Sequence, residues 1–236
     1  MLERAFGECL ERLAVIDRSF VKALLLGCPD PTWPRRLGRV ADDVAVRDPG
    51  ALFAGAANGR AVNEEEIDEA AASYDLCVAV GTLDTANDLA GALRRLHRLL
   101  RPDAPLIGAL LGGDSLPRLR SAMRAADAVT GAATPHVHPR VEASALAPLL
   151  SAAGFVMPVV DVDRVRVTYP SLRRLVEDLR RMGATNILEA RSRTPLTRRA
   201  YAAAAAEFEA AGDSSGTTEF FEILHFIAWT PGSIHA

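Results

Sequence analysis

The chain has 236 residues, 49% apolar and 24% charged; this length and balance support a real core and exclude a disordered or fibrous polypeptide. The formal net charge of -3 gives no basic footprint for nucleic acid, and no apolar run reaches the ~18 residues that a membrane helix needs. The charged opening MLERAFGECLERL lacks the apolar region of a secretory signal, and Cys9, Cys28 and Cys77 form no C-x-x-C pair, so reduced thiols in a cytoplasmic protein are expected rather than disulfides or a zinc site.

Leu2, Phe6, Leu10, Leu13 and Ile16 recur at helical spacing, which predicts an amphipathic first helix packed on the edge of the domain that the later strands build. The stretch Val21 to Gly38 organises the rest. Ala23 to Leu26 run without a polar break, as in a strand covered on both faces, and Gly27 permits a sharp turn into a helix over Pro34 to Val40. In nucleotide-binding α/β folds such a turn holds the ligand, because glycines let backbone N–H groups at a helix N-terminus come close to it. Here Pro29 and Pro31 stand where further glycines are wanted, and neither has an N–H to donate. A second strand, Asp43 to Arg47, ends at Asp48-Pro49-Gly50. An acid at that place accepts hydrogen bonds from ribose hydroxyls in dinucleotide folds; a turn-forming Asp before Pro is the plainer alternative.

Gly55 to Gly59 reads as a small, flexible segment, and Glu64, Glu65, Glu66, Asp68 and Glu69 as a solvated helix start leading into Ala70 to Ala72. Tyr74 to Val80 is a third buried strand, with the loop Gly81 to Asn87 beyond its end. Leu89, Leu93, Leu96 and Leu100 mark one face of a helix stopped by Arg101-Pro102. Ala104 to Leu111 is a further strand, closed by Gly112-Gly113-Asp114 and followed by a helix carrying Leu116, Leu119, Met123 and Ala126. This alternation means a parallel sheet with helices on both faces.

From Thr134 the texture changes. Pro135 to Pro139 is a rigid connector, and a helix runs through Leu146 and Leu150 to Gly154. Phe155 to Val167 alternates as a strand exposed on one side. Helices over Ser171 to Met182 and Pro195 to Ala211 precede a last, aromatic-rich strand, Glu219 to Trp229, and the last two strands are expected to pair antiparallel at a sheet edge with this helical pair inserted between them. Arg173, Arg174, Arg180 and Arg181 recur at helical spacing as a solvated face. His136 and His138 lack further ligands for a metal site, and His225 and Trp229 read as packing residues.

Several phrases together resemble the class I S-adenosylmethionine methyltransferases, in the branch of the malonyl-carrier-protein methyltransferase of biotin synthesis and the related mitochondrial complex I assembly factor. They are Ala23-Leu24-Leu25-Leu26-Gly27-Cys28, Tyr74-Asp75-Leu76, Leu99-Leu100-Arg101-Pro102-Asp103, Ile107-Gly108-Ala109 and Gly112-Gly113-Asp114-Ser115-Leu116. Thr168-Tyr169-Pro170, Asp178-Leu179 and Met182-Gly183-Ala184-Thr185-Asn186 are similar to the assembly-factor branch. The resemblance implies a Rossmann-like α/β fold in one domain over 1–236: a seven-stranded, mostly parallel sheet, its last strand antiparallel, with an N-terminal helix over 1–20 and a helical insertion over 164–216.

It also implies a groove for S-adenosylmethionine across the ends of strands one, two and four. Gly27 and Cys28 would line the methionine part, Asp48 would meet the ribose, Glu65 or Glu66 would lie near the adenine, and the loop from Gly81 to Asp84 would close the site. Leu25 stands where the family usually has an acid, and Pro29 and Pro31 where it has glycine. The expectation is a methyltransferase-family protein with a degenerate loop and cofactor binding weakened or lost. The alternatives are an active methyltransferase, a non-catalytic assembly factor that binds a protein partner, and a protein hydroxylase on the same scaffold. Methyl transfer needs mainly alignment, often with one acid or base. Asp114, behind Gly112 and Gly113 that let a substrate approach, is the catalytic candidate; it reads equally as the N-cap of the helix starting at Leu116. Tyr169 and Asn186 are substrate-binding candidates by analogy to the branch, the substrate being a small molecule or a protein.

Overall fold

A computed structural model describes residues 1–131, 133–188 and 190–232. Seven strands, β1 (Phe20–Leu26), β2 (Ala41–Asp48), β3 (Arg60–Ala61), β4 (Leu76–Val80), β5 (Pro105–Leu111), β6 (Val156–Tyr169) and β7 (Thr217–Trp229), form one sheet in the order β3-β2-β1-β4-β5-β7-β6. Strands from β3 through β5 pair in parallel, and β7 runs antiparallel to β5, with Ile107 opposite Ile227. The expected architecture is therefore present: an α/β sheet, mostly parallel, with its last strand reversed.

Among the described residues there are eight α-helices, α1 (Leu2–Val15) ahead of the sheet and the rest between strands: α2 (Trp33–Leu37), α3 (Ala51–Ala56), α4 (Leu89–Leu99), α5 (Pro117–Thr130), α6 (Ala143–Ala152), α7 (Leu172–Arg181) and α8 (Arg198–Ala210). The unbroken apolar run in β1 has a simple cause. Leu24 and Leu26 enter a core with Ala92, Leu93, Leu96 and Leu99 of α4 and Leu146 and Leu150 of α6, while Leu25 is also fully buried. A strand covered on both sides leaves no position for a polar residue. The chain proceeds from β1 outward to β2 and β3, then returns to the other side for β4 and β5. The order thus reverses beside β1, and in open α/β sheets such a switch point opens a crevice at the carboxyl ends of the strands.

Contacts cluster into two compact units. The first comprises residues 1–112, 141–163 and the chain from 223 onward; the second comprises 113–140 and 164–222 and contains the helical segment expected over 164–216. In the second unit α5 packs on α8, and both bury small residues: Ala122 and Ala126 on one, Ala200 and Ala204 on the other.

Three local expectations need correction. The segment expected to be small and flexible holds the end of α3, and Arg60–Ala61 then add an edge strand beside Arg47–Asp48 of β2. Six residues containing a glycine, followed by a two-residue strand, are too short to leave a periodic signal. The acids from Glu64 to Glu69 do not start a helix. Glu64 is buried at 3% exposure, and Glu69 binds Arg47 at 2.6 Å and also accepts from the Tyr74 hydroxyl. Asp114 does not cap α5 either: that helix begins after Leu116, in the left-handed region at φ 62°, and its first amides are taken by Glu219.

Candidate functional site

The first unit assembles its site at the carboxyl ends of β1, β2 and β4. Gly27 has φ +82°, and a Cβ there would lie 2.4 Å from the Val80 carbonyl oxygen and 2.7 Å from the Thr82 methyl group, so only glycine fits without displacement. Its N–H donates to Arg47 O at 2.8 Å. The next amide, on Cys28, donates to Asp48 Oδ2 at 2.7 Å, and Gly50 N donates to Asp48 Oδ1 at 2.7 Å. Asp48 is 4% exposed, a buried carboxylate that ties the end of β2 to the turn after β1.

Beyond Cys28 the loop folds back on itself around Asp30. Thr32 N donates to Asp30 Oδ1 at 2.8 Å, Trp33 N to Asp30 O at 3.1 Å, and Cys28 Sγ to the same carbonyl at 3.3 Å. Burial, with the Asp48 and Asp30 carboxylates nearby, pushes the Cys28 thiol up to about 12, so this cysteine is a neutral packing group rather than a nucleophile. Trp33 leaves the crevice for α1. It stacks on Phe6 with ring centroids 4.1 Å apart, and its Nε1–H donates to Glu3 at 2.9 Å. Pro31 is exposed and Pro29 half-buried.

On the β4 side, Gly81 has φ +74°, and a Cβ there would lie 2.5 Å from Leu2 of α1. Asp84 lies in a single 3-10 turn, Leu83–Thr85, just beyond. Of the three successive acids, the one turned inward is Glu64. Burial raises its pKa, with the Asp48 and Glu65 charges adding to the rise, while its own backbone amide and the Thr82 hydroxyl hold it down. Its Oε1 is buried without a hydrogen-bond partner among the described residues. Glu65 instead accepts from the Asp88 amide at the start of α4, and Glu66 is exposed. Asn63 Oδ1 takes the Glu65 amide at 2.9 Å, a side-chain turn that rotates Glu64 inward. Three identical residues in a row give sequence reasoning nothing to separate them; Asn63 ahead of the run is the one available signal.

The remaining candidates, apart from Gly112, lie in the second unit. Asp114 is exposed and pairs with Arg164 at 3.0 Å; the same guanidinium nitrogen lies 3.3 Å from Glu222, a carboxylate only 4% exposed. Gly113 gives its carbonyl to Arg120 at 3.1 Å. Tyr169 is 5% exposed, its phenol raised by burial and by the Asp178 and Glu219 charges. Asn186 braces a loop: its Nδ2 donates to Pro135 O at 2.7 Å and its Oδ1 accepts from Leu188 N at 3.0 Å. His136 bonds Asp127 at 2.9 Å and His138 Nε2 accepts from Ile187 N at 3.1 Å; the described residues hold no group of three or more metal-ligating side chains. Gly27, Cys28, Asp48 and Gly81 are thus brought together, and of the neighbouring acids it is Glu64, rather than Glu65 or Glu66, that is buried near Asp48 and Thr82.

The strand order and the glycine turn tied to a buried acid define a class I methyltransferase fold. Relatives named arginine-hydroxylase NDUFAF5 and malonyl-[acyl-carrier protein] O-methyltransferase, together with solved methyltransferase structures of the same fold, support the class I methyltransferase family branch. The chain is 37% identical over 161 residues to the arginine-hydroxylase NDUFAF5, mitochondrial, of Danio rerio, an alignment spanning 67% of this chain and 50% of that protein. It is 30% identical over 182 residues to the malonyl-[acyl-carrier protein] O-methyltransferase of Laribacter hongkongensis, covering 77% of this chain and 60% of that one. The chain therefore spans about half the length of the curated relatives it matches. Among solved structures, the YcgJ protein from Bacillus superposes with a TM-score of 0.66 at 10% identity, over 96% of this chain and 100% of that one, a likeness of fold. No family model matches the chain. No described helix is long and apolar enough to cross a membrane.

Proposed function

We propose that this chain keeps the methyltransferase scaffold with a degenerate cofactor loop, that binding of S-adenosylmethionine is weakened or lost, and that it works on or through a protein partner, as an assembly factor does. The loop's own hydrogen bonds support this reading. Over residues 28–33, Pro29 and Pro31 have no N–H, and the amides of Cys28, Thr32 and Trp33 are committed to Asp48 and Asp30. A turn that should offer donors to the amino-acid end of the cofactor is left with the Asp30 amide. Each donor withheld from a buried polar partner costs about 1–3 kcal/mol, so two or three amount to orders of magnitude in affinity. The residues present do not fit that end of the cofactor, and no reaction step is assigned to it. Asp48, with both oxygens already on backbone amides, acts in this reading as a brace for the loop. A reducing, cytoplasmic setting belongs to the same reading, supported by three free, buried cysteines.

A second reading, hydroxylation of an arginine in a protein substrate, is favoured by the activity for which the relatives at 37% identity are named. Calorimetric titration of the folded protein with S-adenosylmethionine and with its demethylated product separates cofactor loss from an ordinary methyltransferase. The expected result is no heat at micromolar ligand, with circular dichroism reporting an intact fold. Micromolar binding of either ligand overturns the proposal.

A further inference from the structure

Several arginines in this chain sit against a carboxylate at close range: Arg36 on Glu3 at 2.6 Å, Arg4 on Asp163 at 2.7 Å, Arg12 on Asp161 at 2.8 Å and Arg174 on Glu177 at 2.8 Å. Three on α4 do not. Arg94 lies 3.8 Å from Asp88, and Arg98 lies 3.9 Å from Asp68, whose side chain is 96% exposed. Arg95 has no carboxylate partner among the described residues. A charge-assisted hydrogen bond closes to about 2.7–2.9 Å, so these three guanidinium groups have most of their donors to spare.

They also share one side of the helix. Gly91, Arg94, Arg95 and Arg98 fall at i, i+3, i+4 and i+7, away from the buried Leu93, Leu96 and Leu99, with Ala92 at the floor of the same side. That side lines a depression of about 430 Å³, shared with Glu65 and Asp88. Both acids are already engaged: Glu65 accepts from Asp88 N, and Asp88 Oδ1 accepts from Gly91 N at 2.8 Å to cap the helix. Gly91 keeps this capping possible, since a Cβ there would fall 2.1 Å from Asp88 Oδ2. The helix N-terminus adds its own positive end. The arginines of α7 make a useful contrast, because Arg173 and Arg174 both close on Glu177 of their own helix, at 2.9 and 2.8 Å.

We propose that the α4 depression is a binding site for a small phosphate-bearing anion. Its volume falls within the roughly 300–1,000 Å³ of small-molecule sites. Guanidinium forks match phosphate oxygens two at a time, and three forks in one hollow suit a group with more than one negative charge better than a lone carboxylate. Three arginines against the two carboxylates Glu65 and Asp88 leave the hollow positive on balance, in a chain whose formal net charge is -3.

Calorimetric titration of the full chain with pyrophosphate at low salt tests this. Sub-millimolar binding is expected, weakened about tenfold in Arg95→Gln and absent in the triple variant Arg94→Gln, Arg95→Gln, Arg98→Gln, whose thermal midpoint should match the parent because all three side chains are exposed. Absence of heat, or heat that the triple variant retains, overturns the site. Tighter binding of a hexaglutamate peptide than of pyrophosphate overturns the small-anion assignment in favour of an acidic protein partner. Should the triple variant fail to fold, broadening of the pyrophosphate phosphorus NMR lines by the parent and not by Arg95→Gln decides the same question.

Discussion

A methyl group at Gly27 would meet the Val80 carbonyl oxygen at 2.4 Å, and the backbone there stands at φ +82°. Left-handed backbone costs a side chain about 1–2 kcal/mol, and the oxygen belongs to a buried strand that cannot easily withdraw. Gly27→Ala is therefore expected to lower the unfolding free energy by about 2 kcal/mol or more, measured from the urea midpoint at unchanged slope. An unaltered midpoint would mean that the turn relaxes freely and is no fixed platform for a ligand. Single residues also mark the limit of what sequence discloses. Gly27 is legible because a lone glycine after an apolar run has few other uses. Glu64 is not, because its burial depends on the Asn63 turn and on Asp48 at the end of β2 and Thr82 in the turn after β4, both brought beside it from elsewhere in the chain.

Helix α5 shows how an element's start is decided from far away. Its apolar positions, and Pro117 in the first turn, are readable in sequence, yet no side chain near Leu116 caps it. Glu219, fully buried on β7, supplies the cap: Oε2 accepts from Leu119 N at 2.8 Å and Oε1 from Arg118 N at 3.2 Å and Phe220 N at 3.0 Å. Burial raises this carboxyl's pKa, while three backbone amides and Arg118 work against the rise. Glu219→Ala leaves the buried Leu119 amide and two part-buried amides without their acceptor and should cost about 2–3 kcal/mol, whereas Glu219→Gln keeps one acceptor oxygen and should cost less than half as much. Denaturant titration of the two variants side by side checks the ordering. Equal losses would mean that side-chain volume, not capping, is what Glu219 contributes. The partner lies about a hundred residues away in sequence, which is why the capping role falls to Asp114, next to the helix start, when only the sequence is read.

For the whole molecule, one part of the response to acid comes from His225, a buried residue of β7 whose Nδ1 has no hydrogen-bond partner among the described residues. Burial lowers its pKa from the ordinary 6.5, and Arg12 of α1 lowers it further, while Glu8, Asp163 and Asp161 pull it back up. A histidine held neutral by the fold binds its proton more readily once the chain is unfolded. Its contribution is therefore fully present above 6.5 and declines as pH falls through that value. Glu64 and Glu219 act in the opposite sense: with folded pKa values raised above 4.5, they favour the folded state on acidification just above that value. The difference between the parent and His225→Gln isolates the histidine. Between about pH 7 and pH 5 the parent should lose stability faster than the variant; parallel curves would show that the imidazole protonates in place at little cost.

Sequence alone determined the longer strands and helices and their succession, though not α3 and β3, and it determined the doubly covered β1, the glycine turn and its two prolines, because each rests on spacing and backbone chemistry within a few residues. Phe6 and Leu2 were legible as the inward side of a first helix for the same reason. Only the tertiary structure decided that Trp33 turns away from the crevice to stack on Phe6, that Asp48 spends its carboxylate on Cys28 and Gly50, that Glu64 rather than its neighbours faces inward, and that three arginines of α4 share a hollow. Those facts depend on partners tens of residues distant. A side chain's partners are set by how strands and helices pack, and neither residue type nor local periodicity carries that information.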